Sequence, residues 1–269
     1  MQLAWITDAH MEWMSQEHLD TVYSSLRDSE ASAIVVSGDI SNAKHIKKSL
    51  KLLAGLPAPV YFVLGNHDIY GSSFDYVHNI VRKSVEQNKS LIWLTESVPI
   101  QLTDQTFLVG HDSWADGRAG AGQKSGYLIN DYRSISDFRG LSVGSVFSLM
   151  ETLADTATRR INKQIRKIIE PIKGTHVIVV THCPPFARAA KYRGGPTDPT
   201  YIPHFSNIHM GKMLRKVAAD TGCRISVLCG HTHEECRMSI NDKIGIWVGK
   251  PMSVYSVPVY TVVDADLGC

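Results

Sequence analysis

The sequence predicts an α/β fold with two β-sheets facing each other. Three observations carry that expectation. Short apolar runs rich in β-branched residues recur along the chain, and each stops at a polar cluster. Stretches with apolar residues at helical spacing lie between them. The second half then repeats the theme with strands that end in histidine, which points to a second sheet packed on the first.

The first run, Leu3 to Thr7, reads as a buried strand that ends in Asp8-Ala9-His10. Residues 15 to 29 read as a helix with Leu19, Val22, Tyr23 and Leu26 in phase. Ala31 to Ser37 is the next strand and stops at Gly38-Asp39; residues 43 to 54 are helical through Ile46, Leu50 and Leu53. After a turn at Pro57 and Pro59, Val60 to Leu64 runs into Gly65-Asn66-His67-Asp68. Apolar runs of this kind suit parallel strands covered on both faces. Open α/β sheets bind ligands beyond the carboxyl ends of their strands, so these polar clusters are expected on one sheet edge.

Residues 73 to 88 are expected to be helical, and Leu91 to Leu94, Val98 to Leu102 and Thr106 to Gly110 to be strands, the last followed by His111-Asp112. Residues 112 to 126 read as a Gly-rich loop. A mostly helical segment lies near 131–172, most regular from Leu141 to Ile172, as one long helix or two shorter ones. Its Arg159, Arg160, Lys163, Arg166 and Lys167 read as a solvated face. Val177 to Thr181 is a strand ending at His182, residues 183 to 206 a long loop, Asn207 to Ala219 a helix, and Ile225 to Cys229 a strand ending at Gly230-His231-Thr232-His233. Segments near 236–240, 244–248 and 258–264 suggest an antiparallel portion. With no repeat, low-complexity tract or linker, residues 1–269 are expected to form a single domain.

Composition limits the function classes. The apolar fraction is 43% and the formal net charge +2, which makes no case for a polyanion-binding protein, so nucleic acid is not the expected partner. Five cysteines, Cys183, Cys223, Cys229, Cys236 and Cys269, form no C-x-x-C pair and suit a reducing compartment. Cys183 reads as a packing residue. No apolar run approaches a membrane span, and the N-terminal stretch lacks a basic region and a cleavage site. A cytoplasmic location is the expectation; oligomeric state is not legible.

The chemistry lies in the strand ends. Asp39 alone could cap a helix and His182 alone could be a core histidine, but Asp and His recur at Asp8/His10, Asp39, Asn66/His67/Asp68, His182 and His231/His233. Imidazole with carboxylate oxygen suits manganese, iron, zinc or nickel. Two ions about 4 Å apart need a shared anionic ligand, for which Asp39 is the candidate. The D-x-H and H-x-H spacings could aim both side chains at one ion through strand alternation, or His231 and His233 could divide between two ions if the backbone turns. Such a pair would clamp phosphate oxygens and lower the pKa of a bridging water, whose hydroxide attacks phosphorus in line while an imidazole protonates the leaving oxygen.

These blocks resemble the calcineurin-like metallophosphoesterase superfamily, whose signature is D-x-H, G-D, G-N-H-D or G-N-H-E, a histidine, then G-H-x-H. Here they are Asp8-Ala9-His10, Gly38-Asp39, Gly65-Asn66-His67-Asp68, His182 within Thr181-His182-Cys183-Pro184-Pro185, and Gly230-His231-Thr232-His233, in that order. The resemblance implies a four-layer α/β/β/α sandwich of two facing mixed β-sheets with the metals at one edge. It implies that Asp8, His10 and His233 hold one metal, that Asn66, His182 and His231 hold the other, and that Asp39 bridges. It implies His67 as general acid, oriented by Asp68. The cofactors would be two divalent or trivalent ions: manganese in assays, with iron, zinc, nickel or magnesium as alternatives.

The expected activity is therefore hydrolysis of a small phosphomonoester or phosphodiester. Alternatives within the class are a nucleotide or cyclic-nucleotide phosphodiesterase, a pyrophosphohydrolase and, less favoured, a nuclease. Another metal hydrolase such as an amidohydrolase, or a non-enzymatic metal-binding scaffold, is further removed. Around the metals, His111 and the loop residues Arg118, Lys191, Tyr192 and Arg193 could contact substrate, an aromatic ring and a guanidinium suiting a base and a phosphate.

Overall fold

The computed structural model describes residues 1–169, 174–252 and 260–265. Its strands are β1 (Gln2–Ile6), β2 (Ala33–Ser37), β3 (Val60–Val63), β4 (Leu91–Trp93), β5 (Ile100–Gln101), β6 (Thr106–His111), β7 (His176–Thr181), β8 (Lys191–Tyr192), β9 (Gly195–Pro196), β10 (Arg224–Cys229), β11 (Cys236–Ser239), β12 (Ile244–Val248) and β13 (Thr261–Asp264). Its helices are α1 (Gln16–Arg27), α2 (Ile46–Ala54), α3 (Phe74–Gln87), α4 (Asp131–Ser134), α5 (Val143–Ile169) and α6 (Ile208–Thr221). Ser15, Ser73 and Asn207 cap α1, α3 and α6 by accepting a first-turn N–H, a contact worth about 1 kcal/mol each.

One sheet has the order β13-β1-β2-β3-β4 and the other β11-β12-β10-β7-β6-β5. β1 to β4 run parallel and β13 antiparallel to β1; β6, β7, β10 and β12 run parallel, with β5 and β11 as antiparallel edges. Successive strand residues point to opposite faces. Leu3, Trp5, Ala33, Val35 and Val63 therefore meet Leu108, Ile178, Val180 and Leu228 between the sheets. Ala4, Ile6, Ile34, Val36 and Phe62 face outward onto Val22 and Leu26 of α1, Leu50 and Leu53 of α2, and Val77 and Val81 of α3. On the far side, Val177, Val179, Ile225 and Val227 meet Ile161 and Ile165 of α5 and Met210 and Leu214 of α6. The result is the four-layer α/β/β/α sandwich that the resemblance implied. Both faces of each inner strand are apolar, which is why those strands lack polar alternation.

The helical segment is one 27-residue helix, about 40 Å at 1.5 Å per residue. Its first half packs Val146, Phe147 and Met150 on Trp114, Tyr132 and Phe138, and its second half covers the second sheet. Arg159, Lys163, Arg166 and Lys167 lie on its exposed side. Ile172, residues 258 and 259, and Cys269 lie outside the described residues. The tail departs in part from the antiparallel expectation. β11 and β12 pair antiparallel, but β12 pairs parallel with β10, and β13 crosses to the first sheet beside β1. Residue periodicity reports which face is buried and is silent on which neighbour a strand joins. No helix among the described residues is long and apolar enough to cross a membrane.

Candidate metal centre

All the predicted ligands sit just beyond, or in the turns following, the carboxyl ends of β1, β2, β3, β7 and β10. Strand alternation is not what aims them. Asp8, His10, Asp39, His231 and His233 have φ of 49°, 45°, 51°, 73° and 58°, so five of the eight described non-glycine residues in the left-handed region are predicted ligands. Such residues persist only where their surroundings over-determine them, and they cluster at functional sites. The D-x-H and H-x-H pairs are tight left-handed turns rather than strand continuations, which corrects the alternation argument. Neighbouring glycines leave the room this requires. A Cβ on Gly230 would collide with Asp8 Oδ2 and Thr7 Oγ1, and one on Gly65 with Asp39 Oδ1.

Asn66, His182 and His231 form one half of the site. His182 donates Nδ1–H to the Ser37 carbonyl at 2.9 Å, leaving Nε2 3.0 Å from Asn66 Oδ1 and 3.3 Å from Asp39 Oδ2. His231 donates Nε2–H to the His204 carbonyl at 3.0 Å, leaving Nδ1 3.0 Å from Asn66 Oδ1. Carbonyl oxygens only accept, so these bonds assign the tautomers. The Asn66 amide is oriented in turn by Asp131, whose Oδ1 accepts Nδ2–H at 3.0 Å and also the Tyr70 hydroxyl.

Asp8, His10 and His233 form the other half. Asp8 accepts the Thr7 hydroxyl at 2.7 Å and the His231 backbone N–H at 3.1 Å, and its Oδ1 lies 3.2 Å from His233 Nε2. His10 Nε2 is 3.2 Å from His233 Nε2 and 3.8 Å from Asp39 Oδ2. The His10 Nδ1 is buried without a hydrogen-bond partner among the described residues; Glu12 Oε1 stands 4.0 Å away. Trp13, 68% exposed, stacks on the His10 ring at 4.4 Å. Asp39 joins the halves: its Oδ1 accepts the His67 backbone N–H at 2.9 Å, and its Oδ2 faces both His10 and His182.

The electrostatics call for cations. Asp8 and Asp39 are each 1% exposed, and among the described residues neither pairs with a lysine or arginine. Buried carboxylates require a compensating charge. Burial pushes both up, but histidine contacts outweigh it and hold both below the usual range: the His233 hydrogen bond and the His182 charge for Asp8, His182 foremost for Asp39. Burial pushes His182 down, yet Asp39 and Asp8 raise it to about 10, so a proton takes the cation's place there. Burial and the His182 charge lower His231 to about 4, so its bare Nδ1 faces the bare Asn66 Oδ1 with no proton between them. Donors sharing one ion at about 2.1 Å stand roughly 3.0 to 3.4 Å apart, which is the spacing of Asn66 from His182 and His231 in one half and of His233 from Asp8 and His10 in the other. The nitrogen and oxygen donors thus fit two transition-metal ions.

His67 lies beside this cluster, its ring stacked on Tyr70 at 4.1 Å and edge-on to His10 at 4.6 Å. Asp68 does not touch that ring. Its two oxygens accept the backbone N–H groups of Ser41 and Gly65, each at 2.8 Å. It ties the Asp39 loop to the Asn66–His67 loop, so its hold on His67 is through the backbone. Burial, reinforced by Asp39, raises it well above the carboxylate range.

The predicted substrate loops divide. His111, half-buried, accepts the Ser113 N–H at 3.0 Å, and Arg118 is bidentate on Asp155 at 2.7 and 3.0 Å. Lys191, Tyr192 and Arg193 line a cavity beside the cluster. Cys183 is buried, and burial raises its thiol well above the ordinary value, in keeping with packing. Sequence reasoning missed Asp131, Tyr70 and the His204 carbonyl. Asp131 lies 65 residues from Asn66, and a backbone carbonyl carries no residue signature.

A protein of Acanthamoeba polyphaga mimivirus named only as uncharacterised is 22% identical over 257 residues, covering 89% of this chain and 87% of its own. The crystal structure of a dimetal phosphatase from Danio rerio is similar at a TM-score of 0.60 and 12% identity, covering 97% of this chain and 91% of that one. That of TT1561 of Thermus thermophilus is similar at 0.55 and 11%, covering 93% and 88%. The calcineurin-like phosphoesterase family model matches residues 1–235, a span containing every clustered residue described above, and the chain belongs to that family.

Proposed function

We propose that the chain hydrolyses small phosphate esters at a dinuclear metal centre. Asp8, His10 and His233 would hold one ion, Asn66, His182 and His231 the other, and Asp39 would bridge. The observation that carries this reading is Asp39 Oδ2 between His10 Nε2 at 3.8 Å and His182 Nε2 at 3.3 Å. When bound, the ions would supply positive charge for the phosphoryl oxygens and an activated water for in-line attack. His67 is the group that donates a proton to the leaving oxygen. Burial lowers the free imidazolium, with Asp39 opposing; a phosphate oxyanion against the ring acts in the same direction as Asp39.

The cleft over the cluster, about 590 Å³, is lined by Asp39, Asn66, His67, Tyr70, His231 and His233 among others. Its size suits a small molecule. Arg133 is its one lysine or arginine among the described residues, which favours a small ester over a nucleic acid backbone. Manganese is the ion to supply in assays. In the test, His67→Ala lowers turnover of bis-p-nitrophenyl phosphate roughly 10²- to 10⁴-fold while elemental analysis still finds two ions per chain. Unchanged turnover with metal retained would remove His67 from the mechanism.

A further inference from the structure

A second cavity, of about 430 Å³, adjoins the metal cleft. Tyr127, Ile129, Tyr192, Phe205 and Thr232 line both, so the two share a wall. That wall stands directly against the proposed ligands. The Phe205 ring is 5.1 Å from the His231 ring, and Thr232 lies between His231 and His233 in the chain. The Thr232 hydroxyl is buried and has no hydrogen-bond partner among the described residues.

The lining is unusual for solvent-facing loops. Tyr127, Tyr192 and Tyr201 are 42%, 59% and 40% exposed, and all three converge on this cavity. Aromatic surface left open at one place marks a binding site more often than an unfilled core. Tyr127 and Tyr201 stand edge to face at 4.6 Å and 79°, forming a corner in which a flat ring can stack on one and meet the edge of the other. Lys191 and Arg193 add two cations, with the Arg193 guanidinium 5.3 Å over the Tyr192 ring. Asp198 is the one carboxylate in the lining, and its Oδ1 is taken by the Thr200 backbone N–H at 2.7 Å.

Resting on the phosphoesterase reading, we propose that this cavity receives the heteroaromatic ring of a nucleotide whose scissile phosphate lies in the metal cleft. Lys191 and Arg193 face a further anionic group of the same molecule. The favoured substrates are then nucleotides, and small alkyl or sugar phosphates are poor ones.

Two measurements test this. In chelator-treated protein, calorimetric titration compares AMP with ribose 5-phosphate, which keeps the sugar phosphate and carries a hydroxyl where AMP carries the base, so the shared phosphate cancels. AMP is expected to bind about tenfold or more tightly, the range of one base stacked on an aromatic side chain. Tyr201→Ala and Tyr127→Ala each bring the two affinities together. With manganese, the ratio of kcat/KM for thymidine 5′-(p-nitrophenyl phosphate) to that for methyl p-nitrophenyl phosphate exceeds about ten, and Tyr201→Ala moves it toward one. Equal affinity of AMP and ribose 5-phosphate, absent AMP binding, or a parent ratio near one overturns the nucleotide pocket and leaves the phosphoesterase reading standing. Hydrolysis of neither diester, nor of the monoester p-nitrophenyl phosphate, sinks the phosphoesterase reading, and the binding comparison then decides on the cavity alone.

Discussion

The two halves of the metal centre are built to different standards. Around Asn66, His182 and His231 every donor is oriented by a second contact: Asp131 on the Asn66 amide, Ser37 on His182, His204 on His231. Around Asp8, His10 and His233 only the carboxylate is so held, by Thr7 and the His231 N–H. His10 Nδ1 has no hydrogen-bond partner among the described residues, and the His233 side chain is 42% exposed. Partners that fix ring orientation and tautomer raise metal affinity, so the first half is preorganised while the second would gain its order from a bound ion. A tight ion and a more exchangeable one are the expected consequence.

The largest way to break this contrast is Asp39→Asn, which removes the charge shared by both halves. Elemental analysis should find fewer than two ions per chain, and turnover should fall at least about 10³-fold; full occupancy with near-parent turnover would deny Asp39 its bridging place. Asp131→Ala acts on one half only. It frees the Asn66 amide and should weaken the tight ion by roughly 10- to 100-fold, narrowing the gap between two chelator-release steps that the parent shows separately. A single release step in the parent would abolish the asymmetry itself. The smallest expected effect is that of Glu12→Gln. At 4.0 Å from His10 Nδ1 the carboxylate is too far for a hydrogen bond, so affinity at the exchangeable site should change by about threefold or less. A larger loss in a metal-competition titration would mean that Glu12 closes on His10 when the ion is bound.

Much of this centre is legible in residue types, because nitrogen and oxygen donors at strand ends have few uses other than ligation when they recur. Asp8, His10, Asp39, Asn66, His182, His231 and His233 are readable in that way, and the structure brings all seven together. The partners of those donors are not readable. Asp131 is one aspartate among many until the start of α4 packs over Asn66, and the Ser37 and His204 carbonyls belong to no residue type. Asp68 shows the converse: the resemblance implies that it orients His67, but the turn sends its carboxylate to the Ser41 and Gly65 amides.

What the amino-acid order by itself determined is local: apolar runs that must be buried on both faces, helices at 3.6-residue spacing with Ser15, Ser73 and Asn207 at their starts, and glycines beside the ligands. What only the tertiary structure decided is long-range. It set the crossing of β13 to the first sheet, the left-handed turns that aim the D-x-H and H-x-H pairs, and the meeting of Tyr127, Tyr192 and Tyr201 beside the histidine and aspartate cluster. Burial preference is a property of each side chain and can be read one residue at a time. Which partner satisfies a buried donor, and which surface faces a cleft, depends on chain segments far apart in sequence, and packing alone brings those together.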